Sequence, residues 1–139
     1  MPSSARAPLP ASLAEAIGAG QWKGLASVHT ETGTRVSELM ALAPEQMQQE
    51  TASLCALADN PSQAGHYGLT TSDDPEDDAL LAPASALVIA INYDEQALVL
   101  DYRHEPARLL VAVGGAEGLR YHTVSGGVDG VVASWGDEH

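Results

Sequence analysis

Phenylalanine is missing from all 139 residues, and aromatic residues make up only 4% of the chain. The core must therefore be filled by aliphatic side chains, with Trp22 and Trp135 as its large core or edge anchors. Cysteine is scarce too. Cys55 stands alone, which excludes an internal disulfide and a cysteine-pair zinc site. Its place on the apolar face of a helix suits a small core hydrophobe. Positive charge is short: 6 Lys and Arg face 19 Asp and Glu, a net charge of -13. Phosphate backbones and anionic lipid surfaces both demand positive charge, so neither nucleic acid nor membrane is expected as a partner. No long apolar run occurs. The longest, from Ala79 to Ile91, is broken by Pro83 and Ser85 and falls far short of the roughly 20 residues that span a bilayer. The first ten residues hold three prolines and one arginine, and no apolar stretch of signal-peptide length follows. A cytoplasmic protein is expected, and a lone thiol suits a reducing compartment.

Motifs that carry chemistry are also lacking. The histidines are His29, His66, His104, His122 and His139, and no two share the spacing of a helical metal site. There is no nucleophile elbow, no phosphate-cradling glycine loop and no dinucleotide fingerprint. Gly114-Gly115 and Gly126-Gly127 read as turns. The run Asp73, Asp74, Glu76, Asp77 and Asp78 lacks the spacing of a calcium loop and reads as a solvated segment. No metal and no cofactor are expected.

What is present is enough for one domain spanning 1–139. The apolar content is 45%, and a chain of this length buries about two-thirds of its surface on folding. Residues 1–11 are expected to be flexible. Ser12 and Glu15 form a capping pattern that opens a short helix through Leu13 and Ile17, ended by Gly18 and Gly20. Residues 26–35 read as loop. Val36 to Leu42 fits a short strand or a helical turn. Pro44 and Glu45 open a second helix. Its apolar face is Met47, Thr51, Leu54, Cys55 and Ala58, and Asn60-Pro61 ends it. Residues 61–84 form an acidic connecting loop.

The second half reads as strands. Ala86 to Ile91 is a continuous apolar run. Asn92 to Glu95 supplies turn chemistry. Ala97 to Arg103 alternates, with Leu98, Leu100 and Tyr102 on one face and Val99, Asp101 and Arg103 on the other. Arg108 to Val113 and Leu119 to Val124 follow, then a short helix with Val128, Val131, Val132 and Trp135 on one side. Short connections favour an antiparallel meander. The expected architecture is a single α+β domain: about four strands, N-terminal helices and a short C-terminal helix packed on the sheet.

The stretch Val88-Ile89-Ala90-Ile91-Asn92-Tyr93-Asp94-Glu95-Gln96-Ala97-Leu98-Val99-Leu100-Asp101-Tyr102-Arg103 resembles members of the SUKH superfamily. These are bacterial immunity proteins related to a yeast cell-wall-synthesis regulator. The shared pattern is an apolar strand, an acidic turn, and a second apolar strand ending in Asp-Tyr-Arg. Pro106-Ala107-Arg108-Leu109-Leu110 and Val124 to Trp135 occupy the places of the family's next strand and closing helix. The chain departs from the pattern where Val128 and Val131 stand in for phenylalanines, and it lacks the family's frequent Asn-Gly-Gly turn. The likeness spans about half of the chain. It implies a non-enzymatic protein that binds and neutralises a toxin, often a nuclease effector.

Three function classes follow. The first is an immunity-type protein, monomeric or weakly dimeric, that binds a basic toxin. Its contact residues would be Asn92, Tyr93, Asp94, Glu95, Asp101, Tyr102 and Arg103. Tyrosine is favoured at interfaces, and carboxylates steer basic partners. The acidic run 73–78 would act at long range. The second is a small hydrolase using Asp101 with His104 or His66. The third is a regulatory protein-binding module. Asp101 and Arg103 also fit a plain surface or half-buried ion pair.

Overall fold

The computed structural model describes residues 9–70, 80–94, 96–103, 107–115 and 118–135. Helix α1 (Ala11–Gly18) comes first. Strands β1 (Leu25–His29) and β2 (Arg35–Ala41) follow, then helices α2 (Pro44–Ala58) and α3 (Pro61–Ala64). A single 3-10 turn (Pro83–Ser85) leads into β3 (Ala86–Ile91), β4 (Ala97–Asp101), β5 (Arg108–Gly115) and β6 (Gly118–Thr123). Helix α4 (Gly127–Ser134) closes the chain. The fold is α+β, and its sheet has six strands among the described residues where about four were expected. They run antiparallel in the order β1-β2-β3-β4-β5-β6.

The two extra strands lie where the sequence reads as loop or as ambiguous. In β1 the burial alternates, with Ala26 and Val28 inward, but the small and polar neighbours hide that period of two. In β2 the irregularity is structural. Val28 pairs with Val36 and Ala26 with Leu39, so two residues of β2, Ser37 and Glu38, oppose Ser27 alone. This is a β-bulge, and Glu38 adopts φ 59 within it. The bulge puts buried Val36 and Leu39 three apart, a spacing that imitates one turn of helix.

The sheet curls until its first and last strands meet. Thr30 bridges Val124. The Glu31 amide donates to the Thr123 carbonyl at 3.0 Å, and the Ser125 amide to that of His29 at 2.8 Å. The same end is tied by Val124, whose amide donates to the Leu109 carbonyl. Curling this far removes much of the free edge that a six-stranded meander would otherwise present.

Both faces of the central strands are buried. All five residues of β4 are inaccessible, so the sheet is covered on either side. Helix α2 lies across one face, above Val88 and Ala97. Where β2 ends, the Val88 amide has lost its strand partner and donates to Thr51 Oγ1 at 2.9 Å. That hydroxyl in turn donates to the Met47 carbonyl at 2.7 Å. Thr51 is thus a polar residue of the apolar helix face because one strand amide needs it. Helices α1 and α4 pair with each other, and α4 reaches the sheet at β5. Trp22 and Trp135 stack there with ring centroids 4.3 Å apart, and Trp22 Nε1 donates to the Leu42 carbonyl.

Three local expectations are corrected. Ser12 does not cap α1. It lies inside the helix, behind Pro10, and its hydroxyl donates to Asp129 Oδ1 on α4 at 2.6 Å. A partner distant in sequence has taken the group that the local pattern assigned to capping. Residue 11 already opens α1, so the expected flexible tail does not extend that far; residues 1–8 lie outside the described residues. The segment 61–84 contains α3, whose Ser62 amide is capped by the Asn60 side chain at 3.1 Å. The acidic run Asp73, Asp74, Glu76, Asp77 and Asp78 lies outside the described residues. Its flanks are joined: the Thr70 amide donates to the Leu81 carbonyl, and the Leu81 amide to that of Gly68, both at 2.8 Å.

Candidate partner-binding surface

The β3–β4 turn is held by one side chain. Asn92 Nδ2 donates to the Ser37 carbonyl at 3.1 Å and to Gln96 Oε1 at 2.9 Å. Asn92 Oδ1 accepts from the amides of Asp94 and Gln96, both at 3.0 Å. The side chain satisfies backbone groups two and four residues on, as asparagine does in turns. It also pins the turn to the β2 bulge. Tyr93, held on this support, is 95% exposed, with exposed Asp94 beside it. Glu95 lies outside the described residues.

An apolar strip leads away from the turn. Met40 pairs with Ile91 on one side and Leu25 on the other, so the three share one face. Leu25 is 50% and Met40 45% exposed. Sequence reasoning did not single out Leu25, Glu38 or Met40. Only the strand register brings them together, and the bulge had concealed it.

Asp101 stands elsewhere and does something else. It is 0% exposed. Arg103 grips it from two sides, with Nε 3.0 Å from Oδ1 and Nη2 3.1 Å from Oδ2. The Arg103 amide also donates to Oδ1, at 3.1 Å. Arg108, the cross-strand neighbour of Asp101, places Nη2 3.7 Å from Oδ2. The Arg103 side chain is itself 1% exposed, and its Nη2 donates to the Leu80 carbonyl at 2.8 Å. The expected surface or half-buried pair is therefore a fully buried, bidentate one. It ties the end of β4 to the chain just beyond residue 79.

This corrects the expected contact set. Asn92, Tyr93 and Asp94 sit at one end of β4, while Asp101 sits at the other, about 13 Å away at the ordinary strand rise. Asp101 and Arg103 are inaccessible to a partner, and Tyr102 is half-buried. The Asp101–His66 pairing does not assemble either. The Leu119 amide donates to the His66 carbonyl at 2.8 Å, and Leu119 pairs with Gly114, six residues along β5 from Arg108. At the strand rise that puts His66 about 20 Å from Asp101. His104 lies outside the described residues. Among the described residues no group of three or more His, Cys, Asp or Glu could hold a metal ion. No helix there is long and apolar enough to cross a membrane.

Among the described residues one titratable group is strongly perturbed. Tyr121 on β6 is 3% exposed, and burial pushes its hydroxyl far above the ordinary phenol value of 10.0. The folded state therefore keeps a proton that the unfolded chain gives up near pH 10. Stability should fall as pH rises above that value, by up to about 1.4 kcal/mol per pH unit from this residue. Tyr121→Phe should leave stability at neutral pH little changed and flatten the alkaline decline. Denaturant unfolding from about pH 9 to about pH 11 reads the difference.

A hollow of about 1160 Å³ lies between α1 and α4. Among the described residues its charged lining is Glu15, Lys23 and Asp129, and Asp129 is already engaged by Ser12. It offers no set of groups aimed at one point. Compared with known proteins, the chain matches no protein-family model, no curated protein and no solved structure.

Proposed function

We propose that this chain is a non-enzymatic, immunity-type protein of the bacterial cytoplasm that captures a basic toxin and blocks it. The observation that carries the reading is Tyr93. A large amphipathic side chain stands almost fully in solvent on a turn that four side-chain hydrogen bonds of Asn92 hold in place. Tyrosine on a rigid support contributes contact area with little ordering cost, which is the character of an interface anchor. Asp94 stands beside it, the bulged Glu38 follows Ser37, whose carbonyl pins the turn, and the Leu25–Met40 strip leads away across the sheet. The net charge of -13, with its acidic run at 73–78, supplies long-range attraction for a basic protein. The resemblance of residues 88–103 to SUKH immunity proteins points the same way.

Affinity capture from the native bacterium tests the reading. The intact chain should retain a basic effector protein, and co-expression should suppress that effector's toxicity. Tyr93→Ala, which removes an exposed side chain, should keep the fold and lose the effector. Recovery of housekeeping proteins alone, in equal yield with both variants, would contradict the proposal.

A further inference from the structure

A groove of about 190 Å³ separates α2 from the sheet. Leu54 of α2, Val88 of β3 and Ala97 of β4 give it apolar walls, and Tyr67 and Tyr121 bring aromatic rings with hydroxyls. Among the described residues Glu50 is the one charged member of its lining. Three features bear on what it takes. The first is size. A dry cavity of about 150 Å³ accepts a benzene ring, so by proportion this groove holds a body of about eight non-hydrogen atoms. The second is the Tyr121 hydroxyl. It belongs to a residue 3% exposed that lines the groove, and no hydrogen bond to another described residue occupies it. The third is charge. Glu50 is half-buried and has neither an ion pair nor a side-chain hydrogen bond among the described residues, so its carboxylate is left to a cation from outside.

We propose that the groove is a binding site for a small primary amine carried on an apolar, ring-sized body. The ring lies against Leu54, Val88 and Ala97, the ammonium group meets Glu50, and the Tyr121 hydroxyl serves a polar atom of the ligand or its bridging water. Apolar walls with a few convergent polar groups are the ordinary composition of a small-molecule site. The tyrosine rings add favourable faces for a cation. The groove shares Ile91 with the Leu25–Met40 strip but takes in none of Tyr93, Leu25 and Met40, and its occupancy is read without the toxin.

The test compares three probes of similar shape in amide proton–nitrogen spectra: phenethylamine, phenethyl alcohol and hydrocinnamate. Phenethylamine should give saturable shifts centred on Leu54, Val88, Ala97 and Tyr121, with a dissociation constant of about 1 mM for its size. The alcohol should bind about five-fold more weakly and the carboxylate at least about ten-fold more weakly, because each step removes or reverses the attraction to Glu50. Glu50→Gln replaces a partly exposed group and should preserve the spectrum elsewhere. It should bring the amine down to the alcohol's affinity while leaving the alcohol's unchanged. Shifts that never saturate, shifts centred outside the groove, or hydrocinnamate binding as tightly as phenethylamine would overturn the assignment.

Discussion

Asp101→Ala should destabilise the protein by about 3–5 kcal/mol, because it leaves the Arg103 guanidinium buried without its carboxylate. The reasoning starts from exposure. Asp101 is 0% exposed and the Arg103 side chain 1%, so water cannot replace the lost partner. Two Arg103 guanidinium contacts, the Arg103 amide and the Arg108 guanidinium end on the same carboxylate, and all four are lost together. A domain of this length has a total stability of about 5–15 kcal/mol, so the variant should be close to the limit of folding. In thermal unfolding the midpoint should drop by about 10–20 °C. The double variant Asp101→Leu with Arg103→Met removes both buried ions and takes the carboxylate from Arg108 alone, whose side chain is 25% exposed. Replacing both ions by apolar groups of similar volume is often neutral. The double variant should therefore be much more stable than Asp101→Ala alone. If Asp101→Ala cost less than about 1 kcal/mol, the pair would be behaving as an exposed surface bridge, and its structural role here would be wrong.

Gly118→Ala should cost about 2–5 kcal/mol, from two sources that add. Gly118 sits at φ +107, a conformation L side chains rarely adopt, and a Cβ there would collide with the His66 carbonyl oxygen. The same junction contains Gly68 at φ +69, where a Cβ would meet the Leu119 carbonyl. Two glycines thus let the segment after α3 lie against the start of β6, where the Leu119 amide bonds the His66 carbonyl. Neither backbone can move aside, since each is held by the other. Gly114→Ala is the internal control. A Cβ there meets nothing within 4 Å, so it should change stability far less. Equilibrium denaturant unfolding of the three proteins decides the matter. Equal midpoints for Gly118→Ala and Gly114→Ala would mean that the close approach at His66 is unimportant.

Some of this was legible in the sequence because local signals and tertiary packing agree. Pro44, the apolar spacing from Met47 to Ala58 and the Asn60-Pro61 stop define α2, and α2 runs Pro44–Ala58. The apolar run 86–91 is β3, buried on both faces, and needs no alternation. Asn92 announces a turn by its chemistry, and its side chain builds that turn. What escaped is what depends on distant partners. The β2 bulge broke the alternation that marks a strand. Ser12, locally a cap, serves Asp129 on α4. Asp101 and Arg103 two residues apart look like a surface pair. Their burial is set by Arg108 across the strand and by the Leu80 carbonyl. The same reason hides the Leu25–Met40 strip, which exists only through strand register, and the groove beneath α2, which needs α2, β3, β4, β6 and the segment after α3 to enclose it.

The association kinetics of the captured basic effector test the central claim most directly. The account predicts a rate constant that falls at least about ten-fold as salt rises from about 0.05 to about 0.5 M, since screening removes the steering by the acidic surface. It also predicts that Tyr93→Ala speeds dissociation by about 30-fold while leaving the salt slope unchanged, as loss of an anchor of about 2 kcal/mol would. A rate indifferent to salt, together with a Tyr93→Ala complex as long-lived as the original, would contradict it.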